Sequence, residues 1–355
     1  MSNQQLHTEA ISLLRQLIST PSFSKEEDNT AAVIENFLKE HGVKTNTHLN
    51  NIWAINKFYD ESKQTILLNS HHDTVKPNKG YTLDPFTPME KDEKLFGLGS
   101  NDAGGSLVSL ISVFLYFHDH KDLKYNLVLG VTAEEEISGK NGIEALLSVL
   151  PKIDCGIVGE PTLMQMAIAE RGLMVLDCVT KGKAGHAARN EGDNALYKAI
   201  KDIEWLRNYQ FEKVSEFLGP VKMTVTSIET ENKAHNVVPS ECKFIVDVRI
   251  NELYTHEEVF NIIEKNLQSH VTMRSDRMRS SVISLDHPLV KAGLKLERSY
   301  YGSPTSSDKA LMPFPALKIG PGDSARSHTA DEFIFVDEIK EGIDLYIKLL
   351  EQVVK

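Results

Sequence analysis

The sequence predicts an α/β protein whose main domain is interrupted by a smaller α+β insertion. Three observations support this fold class: short apolar runs alternate with helical patterns, polar clusters directly follow those runs, and the pattern changes between about residues 172 and 280. Strands that alternate with helices are typical of α/β sheets. A chain of 355 residues is long enough for two domains, and we assign 1–171 with 281–355 to the first and 172–280 to the second.

The elements of the larger domain follow from local patterns. Short apolar runs predict buried strands, and apolar residues three or four positions apart predict helices. The predicted strands are 65–69, 125–131 and 155–158, and the predicted helices are about 4–19, 26–41 and 104–117, with one more after residue 332. Ser24 and Glu27 have the spacing of a capping box, which predicts that they close the first turn of the second helix.

The insertion shows a different pattern, with two strands that partly alternate and two helical segments. The predicted strands are 173–179 and 243–249, and the predicted helices are about 193–208 and 256–268. After residue 280 the chain is expected to return to the first domain, because a further polar cluster at 326–332 precedes the final helix.

Composition narrows the classes of partner and the compartment. A net charge of −11 argues against general affinity for nucleic acid or anionic membranes. The longest apolar stretch, 107–117, is too short to span a bilayer, and the polar residues 1–5 do not resemble a signal peptide. Cys155, Cys178 and Cys242 form neither a disulfide framework nor a CxxC metal site. A cytoplasmic location is therefore expected.

Three polar clusters lie next to glycines or at predicted strand ends, and each has an ordinary alternative interpretation. His71 and Asp73 form an HxD pair that suits a metal, although a chance pair on a loop is common. Asp102 lies in the glycine-rich segment 97–105, where it is either a functional carboxylate or a helix N-cap. The acidic triplet 134–136 follows a strand, where like charges are costly unless a cation offsets them, but such triplets are also often solvated.

Two later clusters add Glu160, directly after the third strand, and His328. Together the clusters offer two histidines and at least three carboxylates, enough for two divalent ions that share a bridging carboxylate. Such a pair ionises water and polarises a carbonyl, while a remaining glutamate can move the proton. Ligation by oxygen and nitrogen, without cysteine, fits Zn²⁺, Co²⁺ or Mn²⁺.

The order and spacing of six motifs resemble the M20 metallopeptidase family over essentially the whole chain. The motifs are His71-His72-Asp73, Gly97 to Gly105, Thr132 to Glu136, Gly159 to Thr162, Gly185 to Ala188, and His328 to Glu332. The resemblance implies a di-metal catalytic domain with a mixed central sheet flanked by helices. It also implies that the insertion is a lid domain that commonly mediates dimerisation, so a homodimer is expected.

The resemblance also implies roles for individual residues. It places His71 and Glu160 on one metal ion, Glu136 and His328 on the other, and Asp102 between both ions. Asp73 would orient His71, and Glu135 would be the general base. His186 would stabilise the oxyanion, and Asn236, Arg249 and Ser306 match positions associated with substrate binding. From the residues alone, a turn residue in a glycine-rich loop is the preferred interpretation of His186, and a surface arginine on a strand is the ordinary interpretation of Arg249.

Several departures from the family pattern affect the expected substrate more than the ligand set. Ser70 replaces the usual glycine, His72 is an additional imidazole, Leu98 stands where many relatives carry arginine, and Gly104 where many carry lysine. Segment 304–308 resembles the Gly-Thr-Ser-Asp substrate segment without matching it.

The resulting expectation is an amidohydrolase with two divalent ions, most plausibly Zn²⁺, that acts on a small N-acyl amino acid. The leading hypothesis is deacylation of N-acetylornithine, N-acetylcitrulline or N-succinylornithine in arginine biosynthesis. The alternatives are desuccinylation of succinyl-diaminopimelate, a di- or tripeptidase, or a non-catalytic binding protein on the same scaffold.

Overall fold

The computed structural model describes residues 1–189 and 191–355, which form two compact units. The first unit comprises Met1–Ile168, Ile283–Tyr301 and Ser307–Lys355, and the second comprises Ala169–Val282 and Gly302–Ser306. These borders lie close to the predicted ones, except that the short segment 302–306 belongs to the second unit. The roles of the two units as catalytic and lid domains stay predictions.

The elements of the described residues, in chain order, are these. The strands are Thr45–His48 (β1), Asn51–Ile55 (β2), Thr65–His71 (β3), Met89–Lys91 (β4), Lys94–Phe96 (β5), Asn126–Thr132 (β6), Cys155–Val158 (β7), Met166–Glu170 (β8), Gly172–Lys181 (β9), Gly185–His186 (β10), Lys222–Thr230 (β11), Val237–Val238 (β12), Glu241–Ile250 (β13), His270–Met273 (β14), Ser281–Val282 (β15), Tyr300–Ser303 (β16), Ala316–Lys318 (β17) and Phe333–Phe335 (β18). The helices are Asn3–Ile18 (α1), Asp28–Glu40 (α2), Gly105–His118 (α3), Ile143–Leu147 (α4), Ala195–Asn208 (α5), His256–Asn266 (α6), Pro288–Lys295 (α7) and Val336–Val354 (α8).

A mixed sheet forms the centre of the first unit, in the strand order β1-β2-β6-β3-β7-β17-β8. Strand β3 pairs in parallel with both β6 and β7, and β17 pairs in parallel with β7, whereas β1 and β2 are antiparallel. Every residue of β3 and β6 is buried, as expected for parallel strands covered on both faces. The carboxyl ends of β3, β6 and β7 therefore lie along one edge of the sheet, where ligands bind in α/β proteins.

Helix α3 lies at the centre of the helical layer, where it packs against α1 and α8. It is apolar on nearly all sides and almost wholly buried, as expected for a helix without a solvent face. The predicted capping box of α2 is wrong: Glu27 occupies the N-cap position, but no side chain caps the helix. The Ser24 hydroxyl instead donates to Asp73, and the Glu27 carboxylate accepts from the backbone amides of Lys25 and Glu134.

The second unit contains an antiparallel sheet in the order β11-β13-β9-β14. Buried and partly exposed side chains alternate along β9 and β13, which is typical of a sheet with one face on a core. Helices α5 and α6, together with Phe211 and Val221, supply the rest of that core. Strand β11 was not predicted, because this edge strand is largely exposed and carries many polar residues.

Two further expectations from the sequence concern membrane-spanning helices and the state of the cysteines. Among the described residues, no helix combines the length and the apolar character needed to cross a membrane. Cys155, Cys178 and Cys242 are free and buried.

Candidate metal centre

Three parallel strands bring the predicted clusters together at one edge of the sheet. His71 ends β3 and lies opposite Thr132, the last residue of β6, while Asn69 lies opposite Val158, the last residue of β7. The segments that begin with Asp73, Glu135 and Glu160 therefore leave the sheet side by side. This arrangement follows from the parallel pairing of the strands.

His71, Asp102 and Glu160 form a first group whose potential ligand atoms all lie within 4.8 Å of one another. His71 Nε2 lies 3.3 Å from Asp102 Oδ1 and 3.8 Å from Glu160 Oε1. His71 and Glu160 are buried, with 2% and 7% of their surfaces exposed. One imidazole and two carboxylates at this spacing form a donor set that suits a zinc-like ion.

Asp102, Glu136 and His328 form a second group within the same 4.8 Å limit. His328 Nε2 lies 3.0 Å from Glu136 Oε2 and 3.8 Å from Asp102 Oδ2. The two oxygens of Asp102 thus face different groups, Oδ1 toward His71 and Oδ2 toward His328. Asp102 is not the helix N-cap considered above, because α3 has no side-chain cap.

The protonation pattern of His71 fits metal binding. Its Nδ1 lies 3.0 Å from the backbone carbonyl oxygen of Asp73, and since a carbonyl only accepts, Nδ1 carries the proton. In the neutral form that binds a metal ion, the lone pair of the ring lies on Nε2, which is buried and makes no hydrogen bond within the described residues. A buried nitrogen of this kind is costly unless a ligand satisfies it.

The charges around this centre also favour a cation. Burial alone lowers the pKa of His71, but the nearby carboxylates of Asp102 and Asp73 outweigh burial and raise it well above 6.5. The pKa of His328 is raised to about 9, chiefly by its contact with Glu136. Protons on these histidines offset the excess negative charge, and a divalent cation would replace them.

The carboxylate of Asp73 supports the acidic segment that follows β6. It accepts hydrogen bonds from the backbone amides of Glu135 (3.0 Å) and Glu136 (3.2 Å) and from Ser24 Oγ (2.7 Å). Its Oδ1 lies 3.5 Å from His71 Nδ1. Asp73 therefore positions His71 mainly through its carbonyl, while its carboxylate fixes the backbone of the neighbouring glutamates.

Glu135 lies among these groups without joining either set of three. Its pKa is raised well above 4.5, because burial and the carboxylates of Glu160, Asp308 and Glu136 outweigh the opposite effect of His71. Asp308 is also buried, and burial raises its pKa to about 6. A carboxyl group with a raised pKa is suited to moving protons near neutral pH.

Two buried side chains near the centre were not given roles by the sequence. Glu332 accepts hydrogen bonds from the backbone amides of Gly99 (2.9 Å), Asn101 (2.8 Å) and Asp102 (2.9 Å). Its pKa is raised to about 7 by burial and by Asp102.

His72, the second of these side chains, lies 2.9 Å from Thr30 Oγ1 and 3.0 Å from the Asn50 carbonyl oxygen, so it joins α2 to the β1–β2 turn. Burial lowers the pKa of His72 to about 4, which keeps it neutral.

Glu134, the other member of the acidic triplet, has a structural role. It is buried, and its Oε1 accepts a hydrogen bond of 2.8 Å from Asn141 Nδ2. This contact closes the turn after β6. Glu134 belongs to neither group of potential ligands.

The remaining predicted site residues belong to the second unit. His186 and Asn236 lie beside each other, because β10 pairs with β12 and the Ala187 amide donates to the Asn236 carbonyl at 2.9 Å. Both side chains are exposed.

Arg249 and Ser306 already have partners within the second unit. Arg249 forms a bidentate pair with Asp247, at 2.8 and 3.0 Å, and Ser306 Oγ donates to the Arg171 carbonyl at 2.8 Å. For a bidentate contact with a substrate carboxylate, the Arg249 guanidinium would first have to break its pair with Asp247.

Known proteins share both this fold and this sequence pattern. The family model described as Peptidase family M20/M25/M40 matches residues 67–352. A succinyl-diaminopimelate desuccinylase of Rickettsia bellii (strain OSU 85-389) is 26% identical in an alignment 375 positions long that covers 95% of each chain. The aminopeptidase PepT of Bacillus cereus has a TM-score of 0.76 at 17% identity and covers 98% of both chains. The Bacillus subtilis YXEP protein, described as a dinuclear metal binding peptidase, has a TM-score of 0.73 at 16% identity and covers 99% of both.

The family model defines a metallo-hydrolase, and the solved structures share its mixed α/β sheet, in agreement with the sequence prediction. The chain belongs to peptidase family M20.

Proposed function

We propose that this protein is an amidohydrolase that uses two divalent ions, with Zn²⁺ as the leading candidate and Co²⁺ or Mn²⁺ as alternatives. The observation that carries the proposal is the shared carboxylate: Asp102 contributes one oxygen to each of two groups of potential ligands. His71 and Glu160 would complete one site, and Glu136 and His328 the other. Ions bound there would lower the pKa of water and polarise the substrate carbonyl.

Glu135 is proposed as the general base and acid. Its carboxylate would accept a proton from the attacking water and return it to the nitrogen of the leaving amine, which balances the hydrolysis of one amide bond. The raised pKa of Glu135 supports this assignment, because a carboxylate with a higher proton affinity accepts a proton from water more readily. Asp73 would keep Glu135 in place through the hydrogen bond to its backbone amide.

The cavity beside His328 favours an acyl group that carries a negative charge. This cavity of about 220 Å³ is lined by Val75, Lys76, Pro77, Asn78, Tyr81, Leu98, His328 and Thr329. Lys76 is exposed, and the lining contains no carboxylate. An acyl chain that ends in a carboxylate would gain a charge-assisted contact there, whereas a cationic side chain would not.

Desuccinylation of succinyl-diaminopimelate is therefore our main proposal, since the succinyl group ends in a carboxylate. The name of the Rickettsia bellii relative supports it. Deacylation of N-acetylornithine or N-acetylcitrulline, expected first from the sequence, has less support because the acetyl group has no charge for Lys76. N-succinylornithine fits the same cavity argument. Dimerisation through the second unit, and substrate contacts from His186, Asn236, Arg249 and Ser306, stay predictions.

A substrate panel with metal-loaded enzyme tests the proposal. The panel compares succinyl-diaminopimelate, succinylornithine, acetylornithine, acetylcitrulline and a tripeptide, with amine release as the readout. We expect kcat/KM to be highest for the succinylated compounds. A preference for acetylated compounds would overturn the substrate proposal alone. Failure of a metal-loaded, folded enzyme to hydrolyse any amide would overturn the enzyme class.

A further inference from the structure

The backbone around Asp102 does not satisfy its own amides. Asp102 and Ala103 lie outside helical dihedral angles, and Gly99 has a φ of 73°. The N–H groups of Gly99, Asn101 and Asp102 therefore point away from a regular ladder, in a segment where Ser100 and Asn101 are fully buried. Buried amides without a partner cost about 1–3 kcal/mol each, so this turn needs an acceptor from elsewhere in the chain.

One side chain satisfies all three of these amides. Glu332 is 2% exposed, and its Oε1 accepts from Asn101 and Asp102 while its Oε2 accepts from Gly99. The backbone carbonyl of Glu332 also accepts from the Gly97 amide at 3.0 Å. The two oxygens of a carboxylate offer enough acceptor sites for three N–H groups at once, and the ionised form has no donor of its own to oppose them.

Glu332 is itself held at a fixed position. It directly precedes β18, which pairs with β5 so that Phe333 lies opposite Phe96. It also follows His328 by four residues, so one short segment carries both His328 and the acceptor for the Asp102 turn. Two of the three segments that supply the second ligand group, those of Asp102 and His328, are therefore joined by the Glu332 carboxylate.

We infer that Glu332 is a positioning residue that fixes the backbone of Asp102 so that its two oxygens serve both metal groups. This inference rests on the proposed metal-dependent function, but it concerns a residue to which neither the family motif nor the comparisons assign a role. Side chains that support metal ligands contribute roughly 10- to 100-fold to metal affinity in known sites.

The test is zinc affinity, measured by competition with a chromogenic chelator, for the wild-type chain and for Glu332→Gln. In the variant an amide NH₂ would face at least one backbone N–H, so we expect binding weaker by about tenfold or more at both sites. Asp202→Asn is the matched control, because Asp202 is also buried and accepts from the amides of Gln268 (3.0 Å) and Ser269 (2.9 Å). The control is expected to lose stability and keep wild-type zinc affinity.

Wild-type zinc affinity in folded Glu332→Gln would overturn the inference, and an equal loss in Asp202→Asn would reduce it to a general effect of stability. If Glu332→Gln does not fold, amide hydrogen exchange on the metal-free wild-type chain decides. The Asn101 and Asp102 amides are expected to exchange slowly, and rapid exchange of both would contradict the inference. A wild-type chain that binds no zinc would instead overturn the proposed function. The exchange rates of the Asn101 and Asp102 amides would still test whether Glu332 fixes the backbone of Asp102.

Discussion

Asp73 Oδ1 accepts a hydrogen bond from the backbone amide of Glu135 at 3.0 Å. The carbonyl oxygen of the same aspartate lies 3.0 Å from His71 Nδ1. One residue thus fixes both the tautomer of a proposed metal ligand and the position of the proposed general base. The HxD spacing accounts for both contacts, because two residues after the end of β3 the chain lies beside the segment that leaves β6.

Asp73→Ala removes the acceptor for two backbone amides and leaves the Glu135 segment without support. We expect kcat/KM and zinc affinity to fall roughly 10- to 100-fold, as for other residues that orient metal ligands. Ser24→Ala is the control, because it removes a single contact to the same carboxylate and should cost less than about tenfold. Equal, small effects from both changes would show that Asp73 acts only through its carbonyl.

Glu135→Gln keeps the shape of the side chain and removes its ability to exchange a proton. We expect kcat to fall about 10²- to 10⁴-fold with unchanged zinc content, measured by mass spectrometry of the metal. Glu134→Gln is the neighbouring control, because Glu134 contacts Asn141 and lies in neither ligand group. It should change thermal stability more than kcat. A similar loss of kcat in both variants would contradict the assignment of Glu135.

Lys76→Ala tests the source of acyl specificity. Loss of the cation should lower kcat/KM for a succinylated substrate by up to about tenfold, since contacts from charged groups contribute about 1.5–3 kcal/mol and solvent weakens exposed ones. Hydrolysis of an acetylated substrate should not change. Lys79→Ala, a nearby exposed lysine outside the cavity lining, is the control. An equal effect on both substrates would remove Lys76 from the specificity argument.

Much of the fold and of the ligand set could be predicted from the sequence. The runs that became β3, β6 and β7 are largely apolar, are buried throughout and end at polar clusters, so the parallel pairing alone brings those clusters together. His71, Asp102, Glu136, Glu160 and His328 were named in advance, and the structure places them in two groups of potential ligands.

What could not be predicted depends on tertiary contacts. Ser24 and Glu27 have capping-box spacing, yet both side chains bind the segments around Asp73 and Glu134. Glu332 binds amides more than 200 positions away, with separations of 230 to 233 residues. No local pattern indicates such partners, because spacing along the chain reports only neighbours within a few residues.

The buried thiols predict slow chemical modification. Burial raises the pKa of Cys155 and of Cys178 to about 12, so at about pH 8 only about one thiol in 10⁴ is a thiolate, the form that reacts. Native protein should therefore resist iodoacetamide, and all three cysteines should react after unfolding in urea. Mass spectrometry counts the adducts. Rapid labelling of Cys155 in folded protein would show that β7 opens readily.

The raised pKa of Asp308 predicts that the free energy of unfolding depends on pH, and the Asp308→Asn variant measures the contribution of this one side chain. Burial raises its pKa from 3.8 to about 6, although Thr132 Oγ1 donates to Oδ2 at 2.6 Å. A carboxyl group whose pKa is raised on folding favours the folded state when protonated, so its contribution declines as the pH rises from about 4 to about 6. The decline corresponds to about 3 kcal/mol at most, since each tenfold change in proton affinity equals about 1.4 kcal/mol. In the metal-free chain, the free energy of urea unfolding of the wild type minus that of Asp308→Asn should fall by this order between about pH 4 and pH 7. A difference that stays constant with pH would mean that folding does not raise the pKa of Asp308, and that Asp308 is ionised beside Glu135 throughout this pH range.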